Sequence, residues 1–408
     1  MKADTLIVGI SQLVTATGSG PKRGRAMSEL KIVHHAAIAI SSGMITWTGK
    51  ASEWTGTAES TVDVGGRAVV PGLVDPHTHA VWAGDRLKDF EARTSGSTYE
   101  EILAAGGGIR STIRATAAAS PDELVALAKP RIDALIASGA TTIEVKSGYG
   151  FTPTAELAML EAIRSLSLIS PARIIPTLLI HIPPVLAADR NSYMTRICEE
   201  LIPKVSKRKL ATAVDVFVEK EAWQVAEAER FFDRANQYHL AIKLHSDQFH
   251  SIGGVELGLR MNALSIDHLE ASSREQIARI ASSSTIATVL PGVSLHLGIR
   301  SAPGRKLIDT GAAVAVGTDL NPGSSPLFST STALALSVRL NGLTAQEALV
   351  AGTVNAACAL GLANAGRLEL GCPADLLVLH GSDWRELVFT LGTNPVKDVW
   401  INGMRVNG

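Results

Sequence analysis

Two imidazoles one residue apart, His77 and His79, close the apolar run "VVPGLVDPHTHAVWAGDR", with Arg86 close behind. Side chains along a strand alternate between its two faces, so this pair points the same way and can reach one metal ion. Other short apolar runs end alike. Lys146 and Tyr149 follow "TTIEV", His181 follows "RIIPTLLI", and His245 and Gln248 follow "LAIKL". His268 closes "ALSID" and Asp319 closes "AAVAVGT". A lone histidine in an apolar segment reads as a packing or surface residue. Five at run ends, with a terminal carboxylate, read instead as a metal-dependent site. The other six, His34, His35, His239, His250, His296 and His380, lack that placement and read as surface or packing residues. His296 is the open case among them, because it lies just beyond "TVLPG".

Residues scattered over so much chain need a scaffold that collects strand ends. From about residue 70 to 360, strand-like runs alternate with longer helix-like segments such as "SPDELVALAKPRIDALIASGA". Counted with a strand at Val69, about eight strands result, the repeat of a parallel (β/α)8 barrel in the α/β class. Such a TIM barrel gathers its chemistry in the loops at the C-terminal ends of its strands. The first seventy and last forty residues alternate like short strands, as in "IAISSGMITWTG" and "ADLLVLHG". Residues 1–69 and 365–408 are therefore expected to pair as a small composite β-sandwich domain, and 70–364 to form the barrel.

Composition narrows the partners. Among 408 residues, 38 Lys and Arg balance 39 Asp and Glu, which leaves no basic field for nucleic acid or an acidic membrane. A small-molecule substrate is the expectation. Cys198, Cys358 and Cys372 are too few and too scattered for a disulfide framework, so they read as packing residues of a reducing compartment. The N-terminus breaks its apolar run with Gly9, Ser11 and Gln12 and makes a poor signal peptide. No apolar stretch of about twenty residues could span a bilayer. The cytoplasm is the expected location.

"PGLVDPHTH" opening the barrel, "GTD" closing it and "G…LELGCPADLLVL" after it resemble the amidohydrolase superfamily. Within it, "DPHTHAVWAGDR", "AAGGGIRSTIRAT", "EVKSGYG", "LHSDQ", "IDHLE", "VLPG" and "GTDLNPGSSP" resemble, in order, the imidazolonepropionase family. That likeness implies one metal ion per subunit, zinc or else iron, held by His77, His79, His245 and Asp319. It implies hydrolytic ring opening of 4-imidazolone-5-propanoate to N-formimidoyl-L-glutamate in histidine degradation, by a metal-bound hydroxide with Asp319 as general base. His268 is expected to orient the water or steady an oxyanion. Arg86 matches a carboxylate-binding arginine, Tyr149 and His181 match substrate-holding positions, and Gln248 is placed to hydrogen-bond the ring. Asn321, Gly323 and Ser324 offer polar groups near the expected start of a helix, although a plain turn explains them too. A homodimer is the family expectation.

Three other readings stay open from the residues. A two-metal enzyme would bridge its ions with a carbamylated Lys146, and a related amidohydrolase could act on another cyclic amide or as a mononuclear nucleobase or amidine deaminase. Deaminases usually place a glutamate where this chain has Gln248, which cannot carry a proton to departing ammonia. A binding protein with a dead site is the third. The chain departs from the family at "VSLHLG", where aromatic residues are common, and around His181, where it is a residue shorter. "AAGGGIRSTIRAT" reads as a helix connection or a mobile lid, and "SKRKLAT" as a solvated loop.

Overall fold

A computed structural model describes residues 1–98, 101–102, 105–184 and 186–406. The first residue of the glycine-rich stretch "AAGGGIRSTIRAT" lies outside them.

The terminal segments supply β1 (Lys2–Thr15), β2 (Lys31–Ser41), β3 (Met44–Lys50) and β4 (Thr57–Pro71). The barrel follows with β5 (Leu73–Asp75), β6 (Ala140–Lys146), β7 (Arg173–Ile180), β8 (Ala213–Val218), β9 (Ala241–Ser246), β10 (Ser265–His268), β11 (Ile286–Val289) and β12 (Val314–Val316). Then come β13 (Leu376–Leu379), β14 (Val396–Ile401) and β15 (Met404–Val406). Strands β5 to β12 lie side by side in chain order, all parallel, with helices returning between them. The expected eight-stranded barrel is thus present.

Local chemistry sets the helix starts. Ser120 caps the helix Pro121–Ala137 through a reciprocal bond with Glu123, with Pro121 at the first helical position where its missing N–H costs nothing. Thr152, Ser273 and Thr344 accept the corresponding N–H at the helices Pro153–Ile169, Arg274–Ala281 and Ala345–Ala351.

Strands β5 and β12 meet at the seam where the barrel closes. Asp319 N–H donates to the His77 carbonyl at 3.0 Å and His79 N–H to the Leu320 carbonyl at 2.9 Å. Just below, the Asp75 carboxylate accepts from Thr318 N–H at 3.1 Å and from Thr318 Oγ1 at 2.6 Å. The seam is therefore tied by the very segments that carry His77, His79 and Asp319.

The remaining strands form one seven-stranded mixed sheet in the order β15-β14-β13-β4-β1-β2-β3. It rolls so that the segment before β13 meets the β2–β3 turn, Ala374 N–H reaching the Gly43 carbonyl at 2.8 Å and Ile45 N–H the Cys372 carbonyl at 2.9 Å. Ile7, Ile38, Val69, Val378 and Trp400 fill the fold of the roll. Val69 belongs to this sheet, pairing with Val378, rather than to the barrel. The apolar run around it is continuous, so hydrophobicity cannot mark the crossing. The chain passes between sheets at Gly72, where a methyl group would lie 2.3 Å from Thr141 Oγ1.

Candidate metal centre

His77 and His79 follow β5, His245 lies near the end of β9, and Asp319 follows β12 by three residues. Their side chains converge. Asp319 Oδ1 lies 3.3 Å from His77 Nε2 and 3.2 Å from His79 Nε2, and His245 Nε2 lies 3.4 Å from His79 Nε2. All four residues are buried. His77 Nδ1 pairs with Asp267 Oδ2 at 2.6 Å and His245 Nδ1 with Asp215 Oδ1 at 3.0 Å. With each Nδ1 donating to a carboxylate, the Nε2 lone pairs of both rings turn inward.

This donor set fits a cation. Among the described residues, His77 Nε2 and Asp319 Oδ1 are buried with no hydrogen-bond partner. Lone pairs and a carboxylate aimed at one dry point repel one another unless positive charge lies between them. Burial lowers the basicity of His79 and His245, which favours the neutral, ligating form. Burial opposes ionisation of Asp319, but the contacts with His77 and His79 outweigh it and hold the carboxyl well below its ordinary range. Among the described residues, His77, His79 and His245 offer ligand atoms close enough together for one ion, as do His77, His268 and Asp319, and imidazole and carboxylate are donor types that zinc takes.

The backbone is bent to make this set. Asp319 has φ 50° and His268 φ 85°, both in the left-handed region that non-glycine residues avoid. Such strain concentrates where surrounding structure holds a working side chain in place.

Of the other expected residues, Tyr149, His181 and His268 pack against the donors. The His181 ring stacks on His79 at 5.3 Å between centroids, and Tyr149 lies 5.5 Å from His181. Burial pushes the His181 imidazole down to about 3, so it faces the site neutral, and burial raises the Tyr149 phenol far above its ordinary value. His268 packs 5.4 Å from His245, with its Nδ1 3.6 Å from Glu270 Oε1. Gln248 is buried in the loop after β9, which Glu219 anchors by accepting from Phe249 N–H at 2.9 Å and His250 N–H at 3.1 Å. Arg86 precedes the helix Leu87–Thr94 and pairs with Asp89. A methyl group on Gly323 would lie 3.3 Å from Arg86 Nη1, so this glycine leaves room for the guanidinium.

Asn321, Gly323 and Ser324 form a turn rather than a helix start, the next helix being Thr330–Leu340. Asn321 Oδ1 accepts from Gly323 N–H at 2.8 Å and Ser324 N–H at 2.7 Å, closing the turn on itself. Those backbone donors, expected to meet substrate, are thus already paired. His296 stays outside the donors, stacked on Phe90 and bonded to Arg93. Lys146 Nζ sits 2.7 Å from both Asp215 Oδ2 and Glu144 Oε2. Burial alone would lower it, yet these carboxylates raise its basicity above the ordinary value and keep it an ammonium group. Carbamylation needs a free amine, so the bridged two-metal reading finds no support here.

Asp215, Asp267, Glu144 and Lys243 were not anticipated. Their signal lies in the alternation within β6, β8, β9 and β10. There Glu144 with Lys146, Asp215, Lys243 with His245, and Asp267 occupy same-face positions inside otherwise apolar runs.

A parallel barrel with buried imidazoles and a carboxylate gathered at its C-terminal mouth, able to hold a metal ion, defines the class, and the matching families make it a hydrolase. The chain belongs to the amidohydrolase family, whose family model matches residues 68–406, and within it to the imidazolonepropionase family. It is 59% identical to an imidazolonepropionase of Deinococcus deserti, covering 99% of this chain and 100% of that one. A second, of Herpetosiphon aurantiacus, is 41% identical over 97% and 95%. In fold the chain is similar to an adenosine deaminase from Xanthomonas campestris with bound zinc, at a TM-score of 0.73 and 19% identity, covering 99% and 93% of the two chains.

Proposed function

We propose that this chain hydrolyses 4-imidazolone-5-propanoate to N-formimidoyl-L-glutamate, opening a cyclic amide at its C–N bond. The observation that carries this is the 59% identity, over 99% of the chain, to a protein named imidazolonepropionase. In this reading His77, His79, His245 and Asp319 hold one zinc ion, with iron the alternative. When bound, such an ion acidifies water and polarises a carbonyl. Asp319 takes the proton of the attacking water and returns it to the departing ring nitrogen. His268, beside His245, hydrogen-bonds the oxygen on which negative charge develops. Arg86 grips the propionate with two parallel hydrogen bonds, against a wall formed by the Asn321, Gly323 and Ser324 turn. Tyr149, His181 and Gln248 hold the ring.

We further infer a homodimer working in the cytoplasm on a small molecule, without nucleic acid or membrane. No helix among the described residues is long and apolar enough to cross a bilayer.

The deaminase reading is the rival that the fold neighbours raise. Ring opening needs no carrier for departing ammonia, and Gln248 cannot be one. The test is to follow loss of the ring's ultraviolet absorbance in freshly made 4-imidazolone-5-propanoate and to weigh the product. N-formimidoyl-L-glutamate, lost on chelation and restored by zinc, is the expected result. No turnover by metal-replete protein, or release of free ammonia, would count against the assignment.

A further inference from the structure

Beneath the donors lies an unbroken line of buried charges. His245 Nδ1 meets Asp215 Oδ1 at 3.0 Å, and the other oxygen of Asp215 meets Lys146 Nζ at 2.7 Å. Lys146 Nζ meets Glu144 Oε2 at 2.7 Å, the same oxygen lies 3.6 Å from Lys243 Nζ, and Lys243 Nζ lies 3.8 Å from Asp267 Oδ2. That oxygen holds His77 Nδ1 at 2.6 Å. The line starts at one metal-facing histidine and ends at another. The carboxylates and lysines between the two histidines come from β6, β8, β9 and β10, and all are fully buried.

Barrel interiors are ordinarily filled by branched apolar side chains. Charged groups there are costly, and replacing them by hydrophobic residues of like volume is often neutral or stabilising. Fold stability is therefore a poor reason for two lysines in this place. Their geometry suggests another. Asp215 and Asp267 each keep an oxygen on an imidazole, and each also faces an ammonium group, Asp215 through its other oxygen and Asp267 through the same Oδ2 that holds His77. Glu144 ties the two ammonium groups together and is itself fixed by Thr177 Oγ1 at 2.5 Å. Lys243 Nζ is further fixed by the Pro76 carbonyl at 3.0 Å, in the segment that carries His77.

We propose that Lys146 and Lys243, joined through Glu144, are positioning residues of the metal centre. They hold the Asp215 and Asp267 carboxylates in the orientation that aims His245 Nε2 and His77 Nε2 at one ion. This rests on the reading of the four donors as a metal site, and the first measurement tests that reading separately.

Metal-free wild type, Lys243→Met, Lys146→Met and Thr177→Val are titrated with zinc against a chromophoric chelator and, in parallel, with cobalt(II), whose visible bands report ligand geometry. Wild type binding one ion supports the metal reading, and wild type binding none overturns that reading itself. The lysine variants are expected to bind zinc roughly 10- to 100-fold more weakly, as losses of outer-sphere support do, with altered cobalt bands. Thr177→Val removes only a hydroxyl, so it keeps the test open where a lysine variant fails to fold, and weakening by several-fold is expected. Lysines that serve packing alone would lower the melting temperature while the folded protein bound zinc and cobalt as wild type does. That outcome, in the lysine variants or in Thr177→Val, overturns the proposal.

Discussion

At the scale of the residue, the donors have little tolerance because their side chains face one another across one buried point. Asp319→Ala removes the carboxylate that both His77 and His79 face. We expect it to lose metal and turnover together, measured as zinc content and initial rate. Arg86 touches a different part of the chemistry. Its replacement by alanine should remove about 1.5–3 kcal/mol of charge-assisted hydrogen bonding, roughly 10- to 100-fold in KM, with a smaller change in kcat. Gly323→Ala places a methyl 3.3 Å from the guanidinium, so it should raise KM in the same direction by less, read in the same steady-state assay. The convergence of His77, His79, His245 and Asp319 was legible in the sequence because metal chemistry would restrict residue type and barrel topology restricts place. Asp215, Asp267, Glu144 and Lys243 were harder to see, since a charge inside an apolar strand looks like noise until the strands are laid side by side.

At the scale of the element, the alternation of short runs and helices revealed the barrel, and capping residues such as Ser120 explain where helices begin. The crossing at Gly72 was hidden because one apolar run serves two sheets. The turn at Asn321 was hidden because its side chain, not its position, decides where the N–H groups of Gly323 and Ser324 point. Away from the site, Glu347 closes the cap of the helix Ala345–Ala351 and takes two bonds from Arg305, at 2.8 and 3.0 Å. Burial opposes its charge, but Arg305 and the Thr344 N–H outweigh burial and hold the carboxyl below its ordinary 4.5. A carboxylate depressed by folding stabilises the fold above its unfolded value, and that share fades as pH falls through the folded value. Glu347→Gln should therefore cost about 1–2 kcal/mol in urea unfolding at pH 7, with the gap to wild type narrowing as pH drops below 4.5.

At the scale of the whole molecule, the ion would sit where the first and last barrel strands join, so binding and closure are coupled. A ligand that binds only the folded state raises its stability by about 2.7 kcal/mol at a hundredfold excess over Kd. Stripping the metal should accordingly lower the melting temperature by a few degrees, and zinc should restore it, with the size of the shift following zinc concentration. An Asp319→Ala protein should show the lower temperature whether or not zinc is added.

That seam also imposes an order on the making of the protein. His77 and His79 leave the ribosome early, His245 well after them, and Asp319 only when nearly the whole barrel has been synthesised. A nascent chain can present the early imidazoles to stray metal, yet it cannot enclose an ion in the full set until the last strand docks beside the first. Ion uptake then becomes a record that the last barrel strand has been made, and chains that stop short of Asp319 remain unable to enclose the ion in the full set.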